Sequence, residues 1–255
     1  MKNESKTAII IGATSGIGRE VALRLLESGW KVGVAGRRVE RLEDLRAQFG
    51  AEKVAVAQID VTQPEAEVAL EKLLAETGAP DLFFHASGIG FQNRKLDVET
   101  ELAMIRTNCE GMVRMVDHFI NYVKAAGDAY GPKRKAHIAV ISSVAGTAGL
   151  GTAPAYSATK KMQSTYLSAL SQLARMEHLP IRLTDIRPGF VATDLLNPEK
   201  HYPMLITREK AARCILRGLR HKRHIIIFDW RYRMLVAFWR LIPRPIWERI
   251  TWASN

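Results

Sequence analysis

The chain has 255 residues, a length that suits one large α/β domain or two small ones, and its 47% hydrophobic and 25% charged residues exclude wholesale disorder. Two cysteines, Cys109 and Cys214, exclude a disulfide scaffold or cysteine-rich metal site and point to a cytoplasmic setting, and the pair His221 and His224 lacks a third ligand, so no metal is expected. The net charge of +11 sits almost wholly in residues 200–255, where 13 Lys and Arg face only Glu209, Asp229 and Glu248, so an electrostatic partner is expected there.

In chain order, β-branched runs at residues 6–12, 31–36, 53–58, 81–86, 136–143, 181–187 and 224–228 read as strands. The first is far too short for a leader or a membrane span. Between them, residues 17–28, 64–77, 98–126 and 155–179 show helical spacing, with Gly29, Gly127 and Pro180 as stops. Several strands are apolar throughout rather than alternating, as strands covered on both faces should be. Such alternation predicts right-handed βαβ crossovers and a parallel sheet between two helical layers. No linker or repeat interrupts residues 1–255, so the expectation is a single doubly wound α/β domain.

The first strand runs into Gly12-Ala13-Thr14-Ser15-Gly16-Ile17-Gly18, which opens a helix. Glycines let backbone N–H groups approach a pyrophosphate closely, and a helix N-terminus adds roughly half a positive charge. Gly12, Thr14, Ser15, Gly16, Ile17 and Gly18 are therefore expected to hold a dinucleotide, on a G-x-x-x-G-x-G spacing rather than G-x-G-x-x-G. The second strand ends in Gly36-Arg37-Arg38, with no carboxylate before Glu40. A carboxylate there would bind a ribose 2′-hydroxyl, whereas an arginine suits a 2′-phosphate. We expect NADP(H) in preference to NAD(H), with Arg37 as the guanidinium fork, Arg38 beside it and Ser15 as an added donor. Asp60 and Val61, closing the third strand, are candidates for the adenine edge.

Tyr156 and Lys160 lie four apart at a helix start and share one face. Ser143 ends the fifth strand, so it can reach the same crevice, and Asn108 sits inside a helix where an amide is a mediocre helix former. Reducing a carbonyl by hydride leaves an alkoxide that needs a proton. A free tyrosine titrates near ~10, and an ammonium about 4 Å away favours phenolate by up to ~4 kcal/mol. Lys160 is therefore expected to lower the Tyr156 pKa, with Ser143 hydrogen-bonding the carbonyl oxygen.

Together, Gly12-x-x-x-Gly16-x-Gly18, Asn108, Ile141-Ser142-Ser143, Tyr156-x-x-x-Lys160 and Arg187-Pro188-Gly189 resemble the short-chain dehydrogenase/reductase family over about residues 6–195. The resemblance implies an extended Rossmann fold of seven strands in the order 3-2-1-4-5-6-7. It implies Tyr156 as acid/base, Lys160 on the nicotinamide ribose, Ser143 rather than Ser142 on the carbonyl, and Asn108 holding a proton-relay water. Pro188, Gly189, Val191 and Thr193 would meet the nicotinamide end. It further implies a small carbonyl or alcohol substrate and a homo-oligomer, a dimer or tetramer. Two departures stand out: His85-Ala86-Ser87-Gly88 replaces the family's Asn-Asn-Ala-Gly, and Ile11 replaces its Thr. Ala86, Ser87 and Gly88 are still expected to line the crevice through their backbone, and His85 to be bonded within the structure. The alternative is a nucleotide-binding or regulatory scaffold without turnover, against which the intact Asn108, Ser143, Tyr156 and Lys160 argue.

Residues 196–255 are expected to build the substrate side. Residues 208–223 read as a basic helix, and Trp230, Met234, Ala237, Phe238 and Leu241 then fall on one helical face with arginines around it. The longest uncharged stretch, residues 234–239, is too short to span a bilayer. This stripe either packs on its own domain or a twin subunit, roofs the cleft, or gives weak contact with an anionic membrane surface, which would make the protein peripheral at the inner membrane face. Interleaved basic and apolar residues match no nucleic-acid-reading module, so no nucleic acid is expected.

Overall fold

The first strand divides the molecule into two layers. β1 (Thr7–Ile11) turns Ile9 and Ile11 to one side and Ala8 and Ile10 to the other, and all four are fully buried. Successive side chains of a strand alternate between faces, so an unbroken apolar run needs cover on both. The structure, a computed structural model, describes residues 6–196, 199 and 201–251. After β1 come β2 (Lys31–Gly36), β3 (Val54–Gln58), β4 (Leu82–His85), β5 (Ala136–Ile141), β6 (Ile181–Ile186) and β7 (Ile225–Ile226). All pair in parallel, in the order β3-β2-β1-β4-β5-β6-β7 that the family resemblance implied.

Helices α1 (Gly16–Glu27), α2 (Val39–Phe49) and α7 (Arg208–Arg220) cover one face, through Val21, Leu25, Leu42, Leu45 and Ile215. On the other lie α3 (Ala66–Thr77), α5 (Gly111–Ala125) and α6 (Pro154–Met176), contributing Leu70, Met115, Phe119 and Leu167. The strand order reverses between β1 and β4, paired as Ile11↔His85. Ligands of open α/β sheets bind beyond the strand ends at such a reversal.

Two expectations are corrected. The helix expected over residues 98–126 is two helices, α4 (Val98–Ile105) and α5, joined by one π turn at Arg106–Glu110. The strand expected at 224–228 shortens to β7, an edge pairing of two residues.

The C-terminal segment forms α8 (Trp230–Trp239) and α9 (Arg244–Trp247), and here a further expectation is overturned in part. The side of α8 facing the domain carries Tyr232 and Val236, packed on Val144, while Trp230, Met234, Ala237, Phe238 and Leu241 face solvent. The stripe is real but does not pack on its own domain. Tyr232 wins the inner position because its hydroxyl serves two backbone groups, accepting from Phe190 N at 3.1 Å and donating to Pro203 O at 3.0 Å. Its ring covers Gly189 so closely that a Cβ there would collide with it. No described helix is long and apolar enough to cross a membrane.

Candidate active site

At the reversal of strand order, the loops after β1 and β4 meet. A Cβ on Gly12, which has φ +88°, would stand 2.7 Å from Ser87 N, and one on Gly18 would strike the Gly12 carbonyl. Glycine is thus required for the loop to fold back under α1 and bring its amides to the crevice. No side chain caps the N-terminus of α1 at Ser15, so its N–H groups and positive dipole end face outward to a phosphate. Thr193 lies against Gly16, and Ala86 N bonds the Ile11 carbonyl at 2.8 Å, which sets Ala86, Ser87 and Gly88 along the opposite wall. These residues fit a dinucleotide, because the cradle is one that any Cβ would fill.

At the far end of the loop the two arginines differ in their contacts. Arg38 Nη2 donates to Thr14 Oγ1 at 3.0 Å and to Ser15 Oγ at 2.9 Å, whereas the Arg37 side chain is exposed and only its carbonyl is engaged, by Gln58. Successive residues after a strand point to opposite sides, and only Arg38 points back over the loop. Asp60 turns its carboxylate into a local turn, accepting from Thr62 N at 3.0 Å and Thr62 Oγ1 at 2.7 Å. Val61 is buried against Gly111.

The two serines after β5 are sorted by their partners. Ser142 Oγ is turned into the sheet, donating to Asp185 Oδ1 and the Ile186 carbonyl, and Asp185 is in turn held by Arg187 Nε at 2.6 Å. Ser143 Oγ instead accepts from Ala145 N at 3.1 Å, donates to the Pro188 carbonyl at 3.4 Å and lies near enough to Tyr156 to lower its pKa. The Tyr156 ring lies on Gly90, where a Cβ would stand 2.6 Å away. Pro188 and Gly189 close this end, with the Pro188 carbonyl accepting from Val144 N at 3.0 Å and Val191 bridging to Ile206.

Asn108 is fully buried in the π turn. Such turns, inserted where one residue exceeds the α-helical count, recur at functional sites. Its Oδ1 accepts from Ile89 N at 2.9 Å, and its Nδ2 donates to Ile89 O at 2.8 Å and Thr159 Oγ1 at 3.1 Å. Its main-chain carbonyl accepts from Gln163 Nε2 at 2.7 Å. Gln163 Oε1 accepts from Lys160 Nζ at 2.9 Å, so the buried glutamine spans the two groups directly. Lys160 Nζ also donates to the Ile141 carbonyl at 3.2 Å.

The expected effect of Lys160 on the phenol does not appear. Burial pushes the Tyr156 pKa up and the nearby Ser143 hydroxyl offsets this only in part. The ammonium is aimed at Ile141 and Gln163 and lies 5.8 Å from the Tyr156 ring centroid, too indirect to oppose burial. Burial also lowers Lys160 itself to about 8. His85 departs further from expectation: it is fully buried, neither ring nitrogen has a hydrogen-bond partner among the described residues, and burial, with the Lys160 charge, lowers it to about 3. Its side chain follows Phe83 to the α5–α6 side of the sheet, where apolar packing supplies no acceptor.

Three contributors escaped the sequence reading: Gly90, Gln163 and Tyr232. Gln163 was within reach, since it lies three residues after Lys160 on the same helical face. Gly90 and Tyr232 act through contacts distant in sequence and leave no local signal.

The short chain dehydrogenase family model matches residues 6–202. An uncharacterized oxidoreductase of Myxococcus xanthus is 28% identical over 250 residues, 95% of either chain. The NADP-dependent 3-hydroxy acid dehydrogenase of Salmonella typhi is 31% identical over 190 residues, 72% of this chain and 71% of its own. Among solved structures, a short chain dehydrogenase/reductase from Burkholderia phymatum in complex with NAD superposes with a TM-score of 0.77 at 19% identity, covering 93% of each chain.

Proposed function

The chain belongs to the short-chain dehydrogenase family of NAD(P)-dependent oxidoreductases, and on that premise we propose that it uses NADP(H) in preference to NAD(H) to interconvert a carbonyl and a secondary alcohol. The observation that carries this reading is the meeting of Ser143, Tyr156 and Lys160 at the strand ends that face the glycine loop. The preference for a 2′-phosphate rests on Arg38, whose guanidinium is already fixed on Thr14 and Ser15 and offers its remaining donors outward. The dehydrogenase of Salmonella typhi is NADP-dependent, which agrees with this choice.

When bound, the reduced nicotinamide supplies a hydride to the carbonyl carbon. Ser143 donates a hydrogen bond to the carbonyl oxygen, and Tyr156 transfers its phenolic proton to that oxygen as it gains charge. Burial keeps the phenol protonated at neutral pH, so it has a proton to give. Lys160, held by Ile141 and Gln163, would bind the adjoining ribose of the cofactor. Asn108 and Gly90 act as positioning residues, Asn108 by clamping the Ile89 backbone and Gly90 by leaving room for the phenol ring.

On this reading the partners are a small carbonyl or alcohol substrate and a second copy of the chain in a cytoplasmic homo-oligomer, with the C-terminal helices at an anionic membrane surface, as argued below. The test is NADPH and NADH consumption against a panel of ketones that includes 3-keto acids, the class suggested by the Salmonella typhi relative. Turnover with NADPH is expected; tight nucleotide binding with no turnover of any ketone would favour a regulatory scaffold.

A further inference from the structure

The outward side of α8 is apolar and uncovered. Trp230 is 72% exposed, Phe238 62% and Leu241 76%, with Met234 also exposed between them and Ile246 on α9 beyond. At about 3.6 residues per turn these side chains lie opposite Tyr232 and Val236, which hold the helix to the domain. Arg231 flanks the stripe on one side, and Arg233 and Arg240 on the other. Asp229 pairs with Arg231 and Glu248 with Arg244, each at 2.6 Å. Arg233, Arg240 and Arg249 have no carboxylate partner among the described residues.

We propose that this face docks on the surface of an anionic lipid bilayer. An apolar stripe between two arginine flanks is the layout of a helix lying in the headgroup region, with rings and aliphatic chains toward the acyl boundary and guanidiniums at the level of the phosphates. The charge argues against the other occupants. A second copy placed face to face would set the same arginines against one another across a two-fold axis. An apolar protein groove would leave the flanking charges unanswered, whereas anionic headgroups answer all of them. Because no described helix can cross a bilayer, attachment through this face is peripheral.

The face is mechanically tied to the crevice. Tyr232, on its inner side, bonds both Phe190 N and Pro203 O, and Trp247 Nε1 donates to the Gly149 carbonyl at 2.7 Å. The docked helices therefore hold both loops that border the substrate side.

The test is co-sedimentation of the full chain with vesicles of phosphatidylcholine, alone or mixed with phosphatidylglycerol. At low salt the chain should partition at least about tenfold more strongly to the mixed vesicles, and should lose most of this at about 1 M salt, where charges are screened over about 3 Å. The triple variant Trp230→Ser, Phe238→Ser, Leu241→Ser should bind about tenfold less while keeping its solution mass and its turnover of a water-soluble ketone. Arg233→Gln with Arg240→Gln should weaken binding to the mixed vesicles alone. No pelleting at low salt, or a triple variant that pellets like the parent, would overturn the proposal. So would a triple variant of halved solution mass from a parent that ignores vesicles, since the face would then be an interface between copies. Loss of ketone turnover in the parent chain would instead count against the oxidoreductase reading and leaves the vesicle result to stand alone.

Discussion

Lys160 and Gln163, one turn apart on α6, are joined from Nζ to Oε1 at 2.9 Å inside the fold, and the same glutamine reaches the Asn108 carbonyl at 2.7 Å. One side chain thus ties the Lys160 ammonium to the π turn. An amide holds this geometry without exchanging protons as a water would, which makes Gln163 a positioning residue for Lys160.

The pH dependence of reduction tests this tie. Lys160 is charged below about 8 and loses its proton as pH rises through that value, so reduction should fall along an alkaline limb near there. Gln163→Leu removes an acceptor from the charged form and should move the limb to lower pH, whereas Gln163→Glu should move it higher. Limbs that coincide in the parent and both variants would separate Gln163 from Lys160.

Cofactor choice should rest on Arg38 rather than Arg37. Charge-assisted hydrogen bonds are worth about 1.5–3 kcal/mol, so Arg38→Leu should raise the KM for NADPH by roughly 10- to 100-fold and leave that for NADH nearly unchanged. Arg37→Leu, at an exposed side chain, should change either by less than about twofold. Steady-state kinetics with both nucleotides decides between the two arginines.

Gly90→Ala puts a methyl 2.6 Å from the Tyr156 ring and must displace it. A shift of the proton donor by an ångström costs about 10²-fold in rate, so kcat should fall by about that much while NADPH binding stays within about twofold. Parallel turnover and nucleotide titration measure both.

Acid should unfold the protein through two histidines. His85 and His137 titrate near 3 and 4 in the fold, both chiefly because burial disfavours their charged forms, against 6.5 when exposed. Between about pH 6.5 and 4 the unfolded chain binds the extra protons, so stability is full above that window and falls with pH at about 1.4 kcal/mol per pH unit for each histidine. Urea melts at pH 7 and 5 should show this, and His85→Leu should remove about half of the slope. That variant should also gain stability at pH 7, since it removes two unpaired buried nitrogens.

Much of this was legible in the residues themselves. The unbroken apolar runs of β1 and β4 revealed a sheet covered on both faces, and the glycine loop and Tyr156-x-x-x-Lys160 marked the crevice. What escaped depends on pairings distant in sequence. The π turn at Asn108 arises from a one-residue excess that helical periodicity averages away. Arg37 and Arg38 are indistinguishable until the strand's pleat fixes which one faces the loop. The stripe on α8 was visible as amphipathicity, but its direction depended on Tyr232 finding Phe190 and Pro203.

The most direct measurement is NADPH consumption by the parent chain and by Tyr156→Phe across a ketone panel, with nucleotide binding followed in both. The parent should reduce at least one ketone, and the variant should be slower by about 10³-fold or more with unchanged NADPH affinity. A variant that reduces the same ketone at a comparable rate would contradict proton transfer from the Tyr156 phenol.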